Sequence, residues 1–160
     1  MAIVREVPVL EGSLLAAYAA RGHVDAWAAD LPRPVELAAL IRAFYDSAAF
    51  RPERVLLGLA GLRGGAADLR ALADGSGSRF AAWTLEAQRP DEILLAAGRT
   101  RSWLAVASTP DGCTLRFGSA VVARGDGRLG AAFGALLGFH RVYSRLLLGS
   151  AVRRLARARA

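Results

Sequence analysis

The sequence contains no lysine, one cysteine, one methionine and two histidines among 160 residues. A lone Cys113 excludes an internal disulfide and a cysteine metal cage, and it reads as a small residue in a half-buried strand. His23 and His140 lie far apart, and the signatures G-x-S-x-G and H-E-x-x-H are both missing. No metal and no cofactor is therefore expected. Long apolar runs are missing too. The hydrophobic fraction is 54%, yet the longest charge-free run, Leu129 to His140, is twelve residues, against roughly 20 needed to span a bilayer. No transmembrane segment is expected. "MAIVREVPVLEGS" places Arg5, Glu6 and Glu11 where a secretory signal needs an unbroken apolar stretch, so the expected location is cytoplasmic.

What is present suits one domain of residues 1–160 with a single sizeable core. The core is expected over about 22–155, after an extension of residues 1–21 with a short helix and before an Arg-rich tail at 153–160. The net charge of +7 is unevenly placed: up to Asp126, 14 arginines balance 14 acids, while the last 34 residues hold seven arginines and no acid. The exclusive use of Arg reads as compositional bias more than as anion recognition. Arg153, Arg154, Arg157 and Arg159 in "RRLARARA" suit a solvated helix C-terminus. They suggest nucleic acid or an anionic surface only weakly, because no aromatic stacking platform is interleaved with them.

Along the chain, Ser13 is a candidate N-cap and Gly22 a stop for a short helix around 13–21, followed by a strand in "HVDAWAADLP" that ends at Pro32. Leu37, Leu40, Ile41 and Phe44 recur at helical spacing, which predicts an amphipathic helix over 34–47. "PERVLLGLAGL" predicts a second helix, and "GGAADLRALADGSGS" a weak helix or a loop. From Arg79 four runs of strand length follow, "RFAAWTLEAQ", "EILLAAG", "RSWLAVAST" and "CTLRFGSAVVAR", joined by "RPD", "RT" and "PDG". Such short connections join antiparallel neighbours, so this is a meander. After "GDGRLG" one long helix is predicted from about 129 to the late 150s. The class is α+β: an antiparallel sheet whose apolar face is covered by a long C-terminal helix, with a helix pair after the first strand.

Few motifs point to chemistry. "GDGRLG" matches G-x-G-x-x-G, but the following strand and acid of a dinucleotide fold are missing, so it reads as a tight turn. Glu86 shares a face with Phe80, Ala82 and Thr84 on strict alternation, opposite Trp83 and Leu85, and reads as solvated. Arg101 and Trp103 share a face, either inward, where the guanidinium would meet an acidic ligand, or outward, with the guanidinium over a ring. At about 100° per residue, Phe133, Leu136, Leu137, Tyr143, Ser144, Leu147 and Ala151 lie within about 60° of His140. His140 is thus near the middle of a buried stripe and must be satisfied by a neighbour, water or a guest. Arg154 falls on the same face, which predicts that packing has ended there. Phe139 and Leu146 extend apolar surface round the other side.

The order of elements, with "LAALIRAFYDSAAFRPERVLLGL", "FAAWTLEAQRPDEILLA", "TRSWLAV" and "GFHRVYSRLLL", resembles the START-like, polyketide-cyclase-like helix-grip superfamily (SRPBCC) over about residues 22–155. Within it the likeness is to bacterial domains of unassigned function. The resemblance implies a curved sheet gripping the last helix, with an apolar pocket between them for a hydrophobic molecule. It implies a lining of Phe44, Leu136, His140, Tyr143 and inward sheet residues, for which Trp83, Arg101, Trp103 and Phe117 are the candidates. The superfamily usually has six strands between its helix pair and its last helix, against four counted here, and it shares no catalytic set.

Three functions follow as expectations. The first is a non-enzymatic carrier or sensor of a small apolar or amphipathic ligand, oriented by His140, Tyr143 and Arg101. The second is a cyclase- or dehydratase-like enzyme in which His140 shuttles a proton and Tyr143 donates to a carbonyl. The third is an interaction module that forms a homodimer through Phe139 and Leu146 on its C-terminal helix.

Overall fold

The computed structural model describes residues 3–126 and 133–158, the side chains of 133–137 excepted. Strands β1 (Arg5–Glu6) and β2 (Gly22–Leu31) flank a short 3-10 helix, Leu14–Tyr18. Three helices follow: α1 (Leu37–Tyr45), α2 (Arg51–Leu59) and α3 (Ala66–Asp74). Then come β3 (Arg79–Phe80), β4 (Trp83–Arg89), β5 (Glu92–Ala97), β6 (Thr100–Thr109) and β7 (Gly112–Val122), and finally α4 (Phe133–Arg157). The strands form one open antiparallel sheet in the order β1-β2-β7-β6-β5-β4-β3. The class is α+β. Among the described residues no helix is long and apolar enough to cross a membrane.

Alternation along the strands sends Trp27, Leu31, Leu95, Leu104, Leu115 and Phe117 to the face that α1 and α4 cover. The predicted stripe of α1 meets them there, with Leu37, Leu40, Ile41 and Phe44 all buried. α4 adds Leu147, Leu148, Ala151, Val152 and Leu155. Packing therefore continues past Arg154, which turns from the core to pair with Asp46. Of "GDGRLG" only Gly125 and Asp126 lie among the described residues.

The other face is not bare. Residues 3–21 cross it as part of the fold, and Leu15 and Tyr18 bury against Ala26, Leu94, Trp103, Ala105 and Ala120. Full burial of Leu15 stabilises by roughly 2 kcal/mol. Gly118 makes this possible: a Cβ there would stand 2.4 Å from Leu15 and 3.0 Å from Trp103. The buried carboxylate of Glu92 secures the strap, accepting from the Leu14 backbone N–H at 2.9 Å and from the Trp103 indole at 2.7 Å. Arg89 closes the arrangement by donating to Glu92 and to the Gly12 carbonyl, at 2.8 Å each.

Several elements depart from the sequence expectations. β1 has no counterpart among them, and Gly22 opens β2 rather than ending a helix, because a Cβ there would sit 2.0 Å from the Val121 carbonyl oxygen. The patch after α2, expected as a weak helix or a loop, takes the helical alternative as α3, in which the Asp68 carboxylate accepts from the Gly65 N–H at 2.8 Å and Gly75 ends the helix in the left-handed region. "RFAAWTLEAQ" is two strands, so five rather than four lie between α3 and α4. Phe80 pairs with Trp83 across a tight turn at Ala81, whose φ is 51°. That turn puts Phe80 and Trp83 together in the core, while Glu86 stays on the face opposite Trp83 and Leu85, and an irregular register between Leu85 and Ala87 sends Ala87 to the same opposite face.

Candidate functional site

Between the sheet and α4 lies a cavity of about 170 Å³. α1 supplies Phe44 and Tyr45, the start of α2 Phe50 and Glu53, and α4 His140, Tyr143, Ser144 and Leu147. The sheet supplies Trp83, Ser102, Phe117 and Ser119. Six of the chain's twelve aromatic residues thus meet at one cavity, which makes its wall flat, apolar and rigid. Phe44 and Phe117 hold each other at 4.7 Å between centroids, and Tyr45 stands edge-on to Phe50 at 5.1 Å. The Tyr45 phenol is 2.7 Å from Ser102 Oγ, and burial pushes its pKa well up, so it stays neutral.

At one side of the cavity the sheet and α4 share a polar cluster. Asp25 and Ser119 are register partners on β2 and β7, and the Ser119 hydroxyl donates to Asp25 Oδ1 at 2.8 Å. His140 Nε2 is 2.7 Å from Ser119 Oγ and 3.3 Å from Asp25 Oδ2. Since the serine proton goes to Asp25, Ser119 can only accept from the ring, which places a proton on His140 Nε2. Burial alone raises the Asp25 carboxyl, but hydrogen bonds from His140 and Ser119 and the charges of His140 and His23 outweigh it and hold it below its ordinary value. The three residue types are those of a hydrolytic triad, but the wiring is not. A triad places serine and carboxylate on opposite ring nitrogens, whereas both meet Nε2 here.

At the other side, the Tyr143 phenol donates to Glu53 Oε2 at 2.7 Å. Burial raises the Glu53 carboxyl more than this hydrogen bond lowers it. The Tyr143 phenol is pushed up by its own burial and by the carboxylate beside it. Glu53 stands on α2, which contributes no buried residue. The Glu53–Tyr143 bond therefore ties a weakly packed helix across the cavity. Two of the lining residues, Trp83 and Ser144, each carry a buried polar atom, Nε1 and Oγ, with no hydrogen-bond partner among the described residues. The indole N–H can only donate, so it calls for an acceptor.

Of the candidates read from sequence, Phe44, Trp83, Phe117, His140 and Tyr143 come together at this cavity. Arg101 borders it but turns its guanidinium to the opposite face of the sheet, over the Tyr18 ring at 5.0 Å and 2.6 Å from Glu86. Trp103 lies wholly on that opposite face, under Leu15, because it shares Arg101's parity. Trp103 therefore packs under the N-terminal strap and not at the cavity, which Arg101 reaches only at its border. Glu86 is correspondingly not free in solvent: it pairs with Arg101 and accepts from the Tyr18 phenol. The Leu136 side chain lies outside the described residues. Asp25, Ser119 and Glu53 were not singled out by sequence reasoning. Asp25 carried a signal, as an acid on the same strand face as Trp27, Ala29 and Leu31. Among the described residues no group of His, Cys, Asp and Glu is arranged to hold a metal.

Comparison with family models, with curated protein sequences and with solved structures gives no match to this chain.

Proposed function

We propose that the chain is a START-like helix-grip protein that binds, without transforming, a ring-sized amphipathic molecule carrying one hydrogen-bond acceptor. The observation that supports this reading is that Trp83, which lines an aromatic cavity of about 170 Å³, has an indole N–H with no partner among the described residues. A cavity of about 150 Å³ accommodates benzene, while drug-sized ligands need about 300–1,000 Å³. A sterol or a multi-ring polyketide exceeds that space unless α2 moves. The five strands between α3 and α4 are one fewer than the six usual between those helices in the superfamily, in keeping with a smaller pocket.

A binding role is favoured over catalysis by where the protons are committed. Ser119 donates to Asp25, Tyr143 donates to Glu53, and His140 Nε2 is engaged by the sheet. Proton transfer to a guest needs at least one of these bonds to break first. Isothermal titration with acetophenone, benzene and cyclohexane tests the proposal. Acetophenone should bind tightest, Trp83→Phe should reduce its affinity by about tenfold, and benzene should bind both proteins alike. Failure of all three to bind would contradict the reading.

A second reading rests on a different observation. Phe139, Val142 and Leu146 on α4 are 69%, 59% and 52% exposed, more apolar surface than a monomer's helix needs to show. A homodimer through this face would persist in sedimentation at high salt and be lost in Leu146→Asp.

A further inference from the structure

A pocket of about 420 Å³ lies among the helices and shares no lining residue with the aromatic cavity. Each of the four helices contributes one arginine to it: Arg42 from α1, Arg54 from α2, Arg70 from α3 and Arg154 from α4. Asp46, just past the end of α1, is the only acid among its described lining residues. Arg54 meets Asp46 Oδ1 at 3.2 Å and Arg154 meets Oδ2, so one carboxylate is clamped from both sides. Arg42 and Arg70 make no ion pair with any described residue; the charge of Arg42 reaches Asp74, whose carboxyl is held low mainly by hydrogen bonds from Ser76.

Four arginines and one carboxylate among the described lining residues leave the pocket wall with an excess of three positive charges. Like charges brought together from four separate helices repel, and that arrangement is stabilised by an anion seated between them. Guanidinium forks match the oxygens of a phosphoryl group bidentately, and a diphosphate has enough oxygens to engage more than one fork at once. The floor is small and apolar, with Ala39, Ala43, Ala66 and Leu69, which gives a flat organic moiety a surface to lie on. The volume falls within the range of small-molecule sites.

We propose that this four-arginine pocket is a second ligand site, for a small molecule bearing a diphosphate group. Because each helix supplies one cation, the ligand would bridge α2 and α3 to α1 and α4. Occupation therefore tightens the helical layer as a whole.

The test is calorimetric titration of the full chain with inorganic pyrophosphate, with inorganic phosphate and sulfate as comparators. One equivalent of pyrophosphate should bind, at least about tenfold tighter than either comparator, and should raise Tm. The double variant Arg42→Gln, Arg70→Gln should lose at least about tenfold in affinity, while Arg79→Gln, Arg124→Gln, with the same loss of charge elsewhere, should bind as the parent does. Acetophenone binding should be the same in all three proteins, which keeps this outcome separate from that at the aromatic cavity. Non-saturating binding, equal affinity for sulfate, or an equal loss in the control pair would overturn the proposal, since each indicates general attraction to a basic surface.

Discussion

The Ser119 hydroxyl oxygen stands 2.7 Å from His140 Nε2 and gives its own proton to Asp25 at 2.8 Å. This contact, beside the approach of His140 to Asp25 at 3.3 Å, joins the sheet to α4 through polar groups. Ser119→Ala leaves both the ring and the carboxylate short of a partner, and should destabilise the protein by about 1–3 kcal/mol in urea unfolding. His140→Phe, which removes the polar ring but keeps the bulk, should cost less in the Ser119→Ala background than in the parent. A double-mutant cycle of the four proteins measures that coupling, and additive effects would contradict it.

The same cluster sets an acid limit. The folded Asp25 carboxyl lies below its unfolded value, so its contribution is complete above the ordinary carboxylate range. It is lost as pH falls through the depressed folded value. Asp25→Asn should therefore be less stable than the parent near neutrality, with the gap closing as pH drops below about 4. A gap independent of pH would count against the assignment.

Glu53 carries the opposite sign. Its folded carboxyl is raised, so folding favours its protonated form, and stability is lost as pH rises from the unfolded value through the folded one. Glu53→Gln keeps an acceptor for Tyr143 and removes the charge. Its stability relative to the parent should increase from about pH 4 upward and then level off. Amide exchange in α2 should slow in step.

Ala81 is the only residue other than glycine with positive φ among the described residues. Ala81→Gly removes the steric penalty there and should stabilise by about 0.5–1 kcal/mol net of the added unfolded-state freedom. A loss of stability would mean that the Ala81 methyl is worth more in packing than its φ costs.

Glu92→Gln retains an acceptor for Trp103 and Leu14 but loses the ion pair with Arg89. Glu92→Ala loses all three. The alanine variant should expose the segment around residues 10–20 to proteolysis, with a glutamine variant close to the parent. Equal protection in the alanine variant would show that the apolar strap holds without its carboxylate.

The parts of this architecture legible in the sequence are those where one periodic pattern meets one environment. The α1 stripe is of this kind, and so are the strands separated by Pro, Asp and Gly. Where two environments share an element, the pattern fails to speak. β5 and β6 are buried on both faces, so alternation in "TRSWLAV" leaves both orientations of Arg101 and Trp103 open, and only the strap of residues 3–21 decides between them. The β3–β4 turn was illegible because Ala-Ala carries none of the usual turn residues. His140 and Tyr143 were found from the helical wheel. Their partners Asp25, Ser119 and Glu53 come from elements more than 20 residues away in sequence or from a helix with no buried face, where no local spacing links them.

The central claim is that the Trp83 indole N–H takes an acceptor from a guest in the aromatic cavity. In a ¹H–¹⁵N spectrum its Nε1–H resonance, assigned by loss in Trp83→Phe, should move downfield on saturation with acetophenone and not on saturation with benzene. The Trp27 and Trp103 indole resonances should stay in place, the latter because it is already bonded to Glu92. A Trp83 resonance that ignores both compounds, or responds equally to both, would contradict the account.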